Sequence, residues 1–258
     1  MSKTTILTVF LLSLSILTIT PCMAQQENDQ QKKINTELEE QYVPPKVQQK
    51  QVHIDDPLQP VNRVVFVFND KLYFWVLKPA AQGYKVALPR PARKSIGNFF
   101  KNVTTPIRFT NSLLQGEFNE AGTVLKRFAI NTTWGVAGLS DPAKTELNIK
   151  PQKADFGQTL GKYHMPHLIY INWPVLGPSS VRNTFGKVGD YFLDPTSYLK
   201  REAGIAATAT DKINTLSFQL GRYKEIKQAA LDPYIAIRDG FLQRRKALVE
   251  DKDERNTK

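Results

Sequence analysis

Two histidines three residues apart, in "KYHMPHLIY" (162–170), are the closest approach in this chain to a metal-ligand pattern. Met165 and Pro166 lie between His164 and His167 and keep both off one helical face, and no third ligand stands near them. The remaining histidine, His53, falls in a polar N-terminal stretch. Asp155 and the pair Asp190 and Asp194 have the residue type for general acid–base work. They lack a neighbouring nucleophile, and the chain contains no Gly-x-Ser-x-Gly, no phosphate-binding glycine loop and no His-Glu-x-x-His. These carboxylates therefore read as helix caps and surface charges. No catalytic residue, metal or cofactor is expected, and the chain does not read as an enzyme.

The sole cysteine, Cys22, stands just past an apolar run. Lys3 followed by "TILTVFLLSLSILTI" (5–19) has the layout of an export signal, and at fifteen residues it falls short of the roughly 20 that a membrane span needs. Pro21 directly before Cys22 suits lipoprotein processing poorly, because proline fixes φ and crowds its neighbours. Cys22 and Ala24 instead supply the small residues at −3 and −1 that ordinary signal peptidase requires. The expected division is a signal peptide at 1–24, a Gln/Glu/Lys-rich tether at 25–54, a helical domain at 55–249 and a charged tail at 250–258.

The formal net charge is +11. Residues 25–56 carry seven acidic and four basic groups, so the body from 57 onward holds +13. A basic exported body points to anionic partners such as lipid headgroups. Nucleic acid is not expected: the cations are dispersed, and the aromatic residues cluster with aliphatic ones rather than with arginine.

The elements that must carry any function are mostly helical. In residues 61–77, twelve of seventeen are apolar, while Asn62, Arg63, Asn69 and Asp70 recur seven apart on one narrow stripe. Such a helix is either central to a core or turned toward lipid, and the β-branched Val64 and Val65 also allow a strand. Asp56 and Pro57 form a helix start. Pro91 and Pro106 open two further helices, the second stopping at Gly116, and 119–132 shows helical spacing along Phe118, Ala121, Leu125 and Phe128. A glycine-flanked apolar loop follows in "WGVAGLSDPA", then an extended, proline-broken stretch in "HLIYINWPVLGPSS". Ser179 or Ser180 caps the next helix. A long helical stretch over 201–231 and a last helix opened by Asp232 and Pro233 complete the body.

Seven blocks in order carry a resemblance: "DPLQPVNRVVFVFND", "LPRPARKSIGNFFKNVTTP", "NSLLQGEFNEAG", "RFAINTTWGVAGLSDPA", "FGQTLGKYH", "GPSSVR" and "LDPYIAIRDGFLQRR". Together they resemble the MlaA (VacJ) family. The resemblance implies a mainly α, multi-helix, ring-like domain with a central amphipathic channel, embedded in or on the inner leaflet of the Gram-negative outer membrane. It further implies phospholipid transport that clears mislocalised phospholipids from the outer leaflet and so maintains lipid asymmetry. The implied partners are phospholipids, a trimeric porin and a periplasmic lipid carrier of an ABC transport system. A soluble periplasmic shuttle without stable membrane residence is the alternative.

On this resemblance Phe66, Phe68, Asn69, Tyr73, Phe74 and Trp75 become membrane-contact residues of the first helix. Trp134, Gly135, Val136 and Gly138 become channel or gating residues, and Arg182 a headgroup contact. Two departures stand out. Val67 occupies a position where Asn is common in the family, and Arg182-Asn183 replaces the usual Arg-Asp. Family members are typically lipoproteins, whereas Pro21 argues here for retention by buried helices alone. Mass spectrometry of the mature chain is expected to show Gln25 as its first residue with no acyl group; a diacylglyceryl Cys22 at the N-terminus would reverse this assignment.

Overall fold

The computed structural model describes residues 56–256, with side chains through 250. The expected signal peptide, Cys22 and the tether lie outside the described residues.

The first helix, α1, runs Gln59–Leu72 and passes through a π-turn, Tyr73–Leu77, into α2, Lys78–Ala87. Pro79 supplies a cause for the π-turn. It has no N–H to give to the carbonyl four residues back and its ring would crowd that carbonyl, so the turn widens and the Lys78 N–H reaches Tyr73 instead. Asp56 does not cap α1, whose N-cap Leu58 makes no side-chain bond. Its carboxylate accepts instead from Asn62 Nδ2, at 2.9 Å, and from the Tyr234 hydroxyl of the distant last helix.

Proline in the first turn opens α3, Arg90–Val103, and α4, Thr105–Leu114, as expected from Pro91 and Pro106. Next come α5, Phe118–Thr133, the short α6, Pro142–Thr145, capped by Asp141, and α7, Phe156–Lys162, capped by Asp155. The extended stretch forms an antiparallel hairpin of β1, Tyr170–Trp173, and β2, Gly177–Ser180, in which Tyr170 faces Ser180 and Trp173 faces Gly177. Ser180 caps α8, Val181–Leu193, through the Asn183 N–H. Asp194 caps a single 3₁₀ turn, Pro195–Tyr198.

The long helix expected over 201–231 is instead two, α9, Arg201–Ser217, and α10, Arg222–Ala229. Gly221 turns the chain between them with φ +100°, a conformation that side-chain-bearing residues rarely adopt. The buried Arg93 of α3 binds the Ser217 hydroxyl at 2.9 Å and its carbonyl at 3.3 Å, pinning the end of α9. Asp232 accepts from the Tyr234 and Ile235 N–H groups and opens α11, Pro233–Asn256.

The apolar core is small. Tyr170, Tyr234 and Leu242 are buried together, with Phe66, Ile235 and Phe241 packed around them. The rings of Phe66 and Tyr234 meet edge to face at 5.9 Å. Polar contacts join most of the remaining elements. Asn111 of α4 accepts from Thr159 of α7 at 2.8 Å and donates to Asp190 of α8 at 3.0 Å. Asp190 also accepts from the Phe156 N–H at 3.0 Å, and burial pushes its carboxyl up to about 6. It is thus an internal brace and not the surface charge expected from the sequence.

Asn62→Leu keeps helix propensity and volume but leaves the buried Tyr170 carbonyl and Asn172 N–H without that partner. Each orphaned group costs about 1–3 kcal/mol, so a loss of about 2–6 kcal/mol is expected in chemical denaturation in detergent. Val61→Leu, on the exposed side of the same helix, is expected to stay within about 0.5 kcal/mol of wild type.

Candidate functional site

Helix α1 turns its polar stripe into the domain and its apolar face out. Asn62 is 2% exposed and grips the hairpin: its Nδ2 donates to the Tyr170 carbonyl at 3.1 Å, and its Oδ1 accepts the Asn172 N–H at 2.8 Å. One register down, Asn69 donates to the Trp173 carbonyl at 3.0 Å and accepts the Val175 N–H at 2.8 Å. Arg63 pairs with Asp232 at 2.6 Å, and Asp70 with Lys227 at 2.7 Å and the Tyr223 hydroxyl at 2.9 Å. On the other side Val61, Val64, Val67, Phe68, Trp75 and Val76 are each 50–72% exposed.

The six residues expected at a membrane contact therefore divide. Phe68 and Trp75 point outward. Phe66 is half-buried against Tyr234, and Phe74 is half-buried against Tyr73 and Tyr223, with the Lys227 ammonium 5.2 Å from its ring centre. Tyr73 is buried and Asn69 holds the hairpin, so both belong to the interior and not to an outer contact. Helical spacing explains this: 62, 66, 69 and 73 follow each other at four, three and four residues and share one face. That periodicity was available in the sequence for Tyr73.

A second outward apolar stripe lies on α8, which the sequence reading did not single out. Phe185, Val188 and Phe192, spaced three and four apart, are 53–64% exposed beside Tyr191, while Arg182, Asn183 and Gly186 are buried on the opposite face. Phe118, Leu125 and Phe128 of α5 are likewise exposed, with only Ala121 of the expected stripe buried. Val175 and Leu176 project from the hairpin turn.

The glycine-flanked turn after α5 presents Trp134 and Val136, both exposed, beside Gly135 and Gly138. Val136, Ala137 and Gly138 all take positive φ, at 52°, 54° and 87°. This is a strained run, since a β-branched residue with φ above zero is an outlier. Six backbone bonds fasten the turn, among them Gly138 N–H to the Asn131 carbonyl at 2.8 Å and Ser140 N–H to the Gly135 carbonyl at 2.9 Å. A Cβ at Gly138 would run into the side chain of Asn102.

Arg182 does not reach a surface. It is 5% exposed, donating to the Met165 carbonyl at 3.0 Å and approaching His167 Nε2 at 2.8 Å. Burial, helped by the Arg182 charge, lowers the His167 ring to about 4 and keeps it neutral as an acceptor. His164 lies apart, on a turn with φ 61°. The two histidines thus have separate surroundings, and His167 serves the interior.

Among the described residues, nineteen polar or charged side chains are buried against nine hydrophobic ones, while large apolar side chains crowd the outside. Water-soluble domains are built the other way round. No helix among the described residues is long and apolar enough to cross a membrane.

A family model described as MlaA lipoprotein matches residues 54–248. A protein of Escherichia coli K12 named "Intermembrane phospholipid transport system lipoprotein MlaA" is 31% identical over 193 residues, covering 73% of this chain and 76% of that one. The protein of the same name from Haemophilus influenzae is 30% identical over 202 residues, covering 76% and 80%. An uncharacterised protein of Rickettsia conorii is 32% identical over 201 residues, covering 77% and 80%. A solved structure described as "Structural basis for maintenance of bacterial outer membrane lipid asymmetry" superposes with a TM-score of 0.69 at 29% identity, covering 76% of this chain and 99% of that one. With the matched span running from the first helix into the last, the chain belongs to the MlaA lipoprotein family.

Proposed function

We propose that this protein is a non-enzymatic phospholipid transporter seated on the periplasmic side of the Gram-negative outer membrane. It clears mislocalised phospholipids from the outer leaflet and so maintains lipid asymmetry. The observation that carries this reading is the inverted distribution of polarity, with amides and charges inside and valine, phenylalanine and tryptophan outside. In water that arrangement leaves a large apolar area hydrated, whereas in a leaflet the same side chains meet hydrocarbon and the polar groups stay satisfied within the protein. Helices too short to span then lie in one leaflet by their apolar faces, as α1 and α8 are built to do. Retention by these faces complements the expectation that Cys22 is removed, although the relatives are named lipoproteins.

Moving a phospholipid requires passage for a polar headgroup and apolar tails together, which a two-faced channel through a polar-lined domain provides without a reactive group. The turn at 134–138 is the candidate gate, its exposed Trp134 and Val136 borne on a backbone held away from its relaxed conformation. A trimeric porin beside the domain and a soluble periplasmic carrier on the way to an ABC transporter complete the route.

Trp75→Asp tests the reading. A carboxylate carried to hydrocarbon depth costs about 2.5–3.5 kcal/mol, so the variant is expected to leave the outer-membrane fraction and to raise surface-exposed phospholipid. Helix content by circular dichroism should not change, because Trp75 is 72% exposed. Full membrane retention with unchanged surface phospholipid for Trp75→Asp combined with Val64→Asp would overturn the leaflet assignment.

A further inference from the structure

A cavity of about 510 Å³ opens between α4, the segment leading into α7, and α11. Four cations reach it, Arg108, Lys153, Arg244 and Arg245, against one carboxylate, Asp155. Asp155 is already taken: both its oxygens pair with Arg245 at 2.7 Å. Among the described residues, Arg108 donates to neutral oxygens alone, the hydroxyls of Thr104 at 3.1 Å and Thr105 at 3.0 Å and the Lys101 carbonyl. Lys153 and Arg244 stand exposed at the rim with no ion-pair partner among the described residues. Among the described residues, three positive charges without a carboxylate partner therefore converge on one concavity. Burial, with Arg127 nearby, lowers the Arg108 guanidinium to about 10, which still leaves it charged at neutral pH.

The apolar side of the wall defines what would fit. It includes Ile107, Phe241 and Leu248, which an inorganic anion cannot use. A site of this size with a few convergent polar groups on apolar walls is the usual form of a small-molecule pocket. Guanidinium groups favour phosphate oxygens in particular, because their paired N–H groups match them.

We propose that this cavity binds a phosphate-bearing amphiphile, with the phosphate held by Arg108 between Lys153 and Arg244 and the adjoining hydrocarbon against Ile107, Phe241 and Leu248. The assignment of that amphiphile as a membrane phospholipid rests on the transport reading above. The cavity takes over the headgroup role that the buried Arg182 cannot fill.

Calorimetry on the full mature chain in maltoside detergent tests this with dioctanoyl phosphatidylglycerol, inorganic phosphate and uncharged dioctanoylglycerol. The phospholipid is expected to bind, inorganic phosphate to compete weakly, and dioctanoylglycerol to bind least. Losing a charge-assisted bond is expected to weaken the phospholipid about tenfold or more in Arg108→Gln. Arg244→Gln, an exposed residue whose loss leaves the fold intact, should weaken it severalfold, and added salt should narrow the difference from wild type. Wild-type affinity in both variants would overturn the site, and so would inorganic phosphate binding as tightly as the phospholipid. In cells the two proposals separate. If the wild-type chain fails to restore asymmetry to a strain lacking it, the transport reading fails, while the calorimetric result on the cavity stands or falls by itself.

Discussion

Asn62 carries an amide into a place that is 2% exposed, on a helix whose neighbours along the chain are mostly valine and phenylalanine. Its donors and acceptor must then be met by protein, since each one left unmet costs more than a made bond returns. They are met by the backbone of β1 and by Asp56, and Asp56 in turn accepts from Tyr234 of α11. One side chain thus ties the start of the body, the hairpin and the last helix to a common point. The Phe66, Tyr170 and Tyr234 rings close over that point, and the orientation of α1 about its own axis follows from it.

Once α1 is oriented by its amides, its wide apolar face has nowhere to go but out. The same logic recurs on α8, where the buried side carries Arg182, Asn183 and Asp190 contacts while Phe185, Val188 and Phe192 face away. Between elements, hydrogen bonds and ion pairs do much of the work that a hydrophobic core does in a water-soluble domain. This is economical where the surroundings are lipid, because apolar burial between helices gains little when the alternative is hydrocarbon, and polar contacts then decide how helices meet. The small Tyr170, Tyr234 and Leu242 cluster is consistent with a domain that does not depend on excluding water from a large centre.

Local chemistry reads directly from the chain. Pro91 and Pro106 open α3 and α4, Ser180 caps α8, Asp155 caps α7 and Asp232 opens α11, each through an interaction within three residues in sequence. The extended stretch is legible for the same reason, as Pro174 between the strands and Gly177 at the start of β2 break any helix there. Where the partner lies far away, local reading fails. Asp56 looks like a cap and is a tether to residues more than a hundred positions on. The end of α9 at Ser217 is pinned by Arg93, and Asp190 is claimed by Asn111 and Phe156. Arg182 looks like a surface cation until Met165 and His167 enclose it.

By itself the sequence determines most of the helical elements, the narrow polar stripe of α1 and, through seven ordered blocks, the family. It also determines that α1 has one wide apolar face, because composition and a 3.6-residue period suffice for that. It does not determine which way that face looks: a helix with this pattern can serve as a core element or as a leaflet element, and the pattern is the same for both. The tertiary structure decides, by supplying hydrogen-bond partners for Asn62 and Asn69 from a hairpin some hundred residues away. The cavity beside Arg108 arises in the same manner. Its cations come from α4, from the segment before α7 and from α11, and only folding brings them onto one wall, with Asp155 the one carboxylate among the described lining residues.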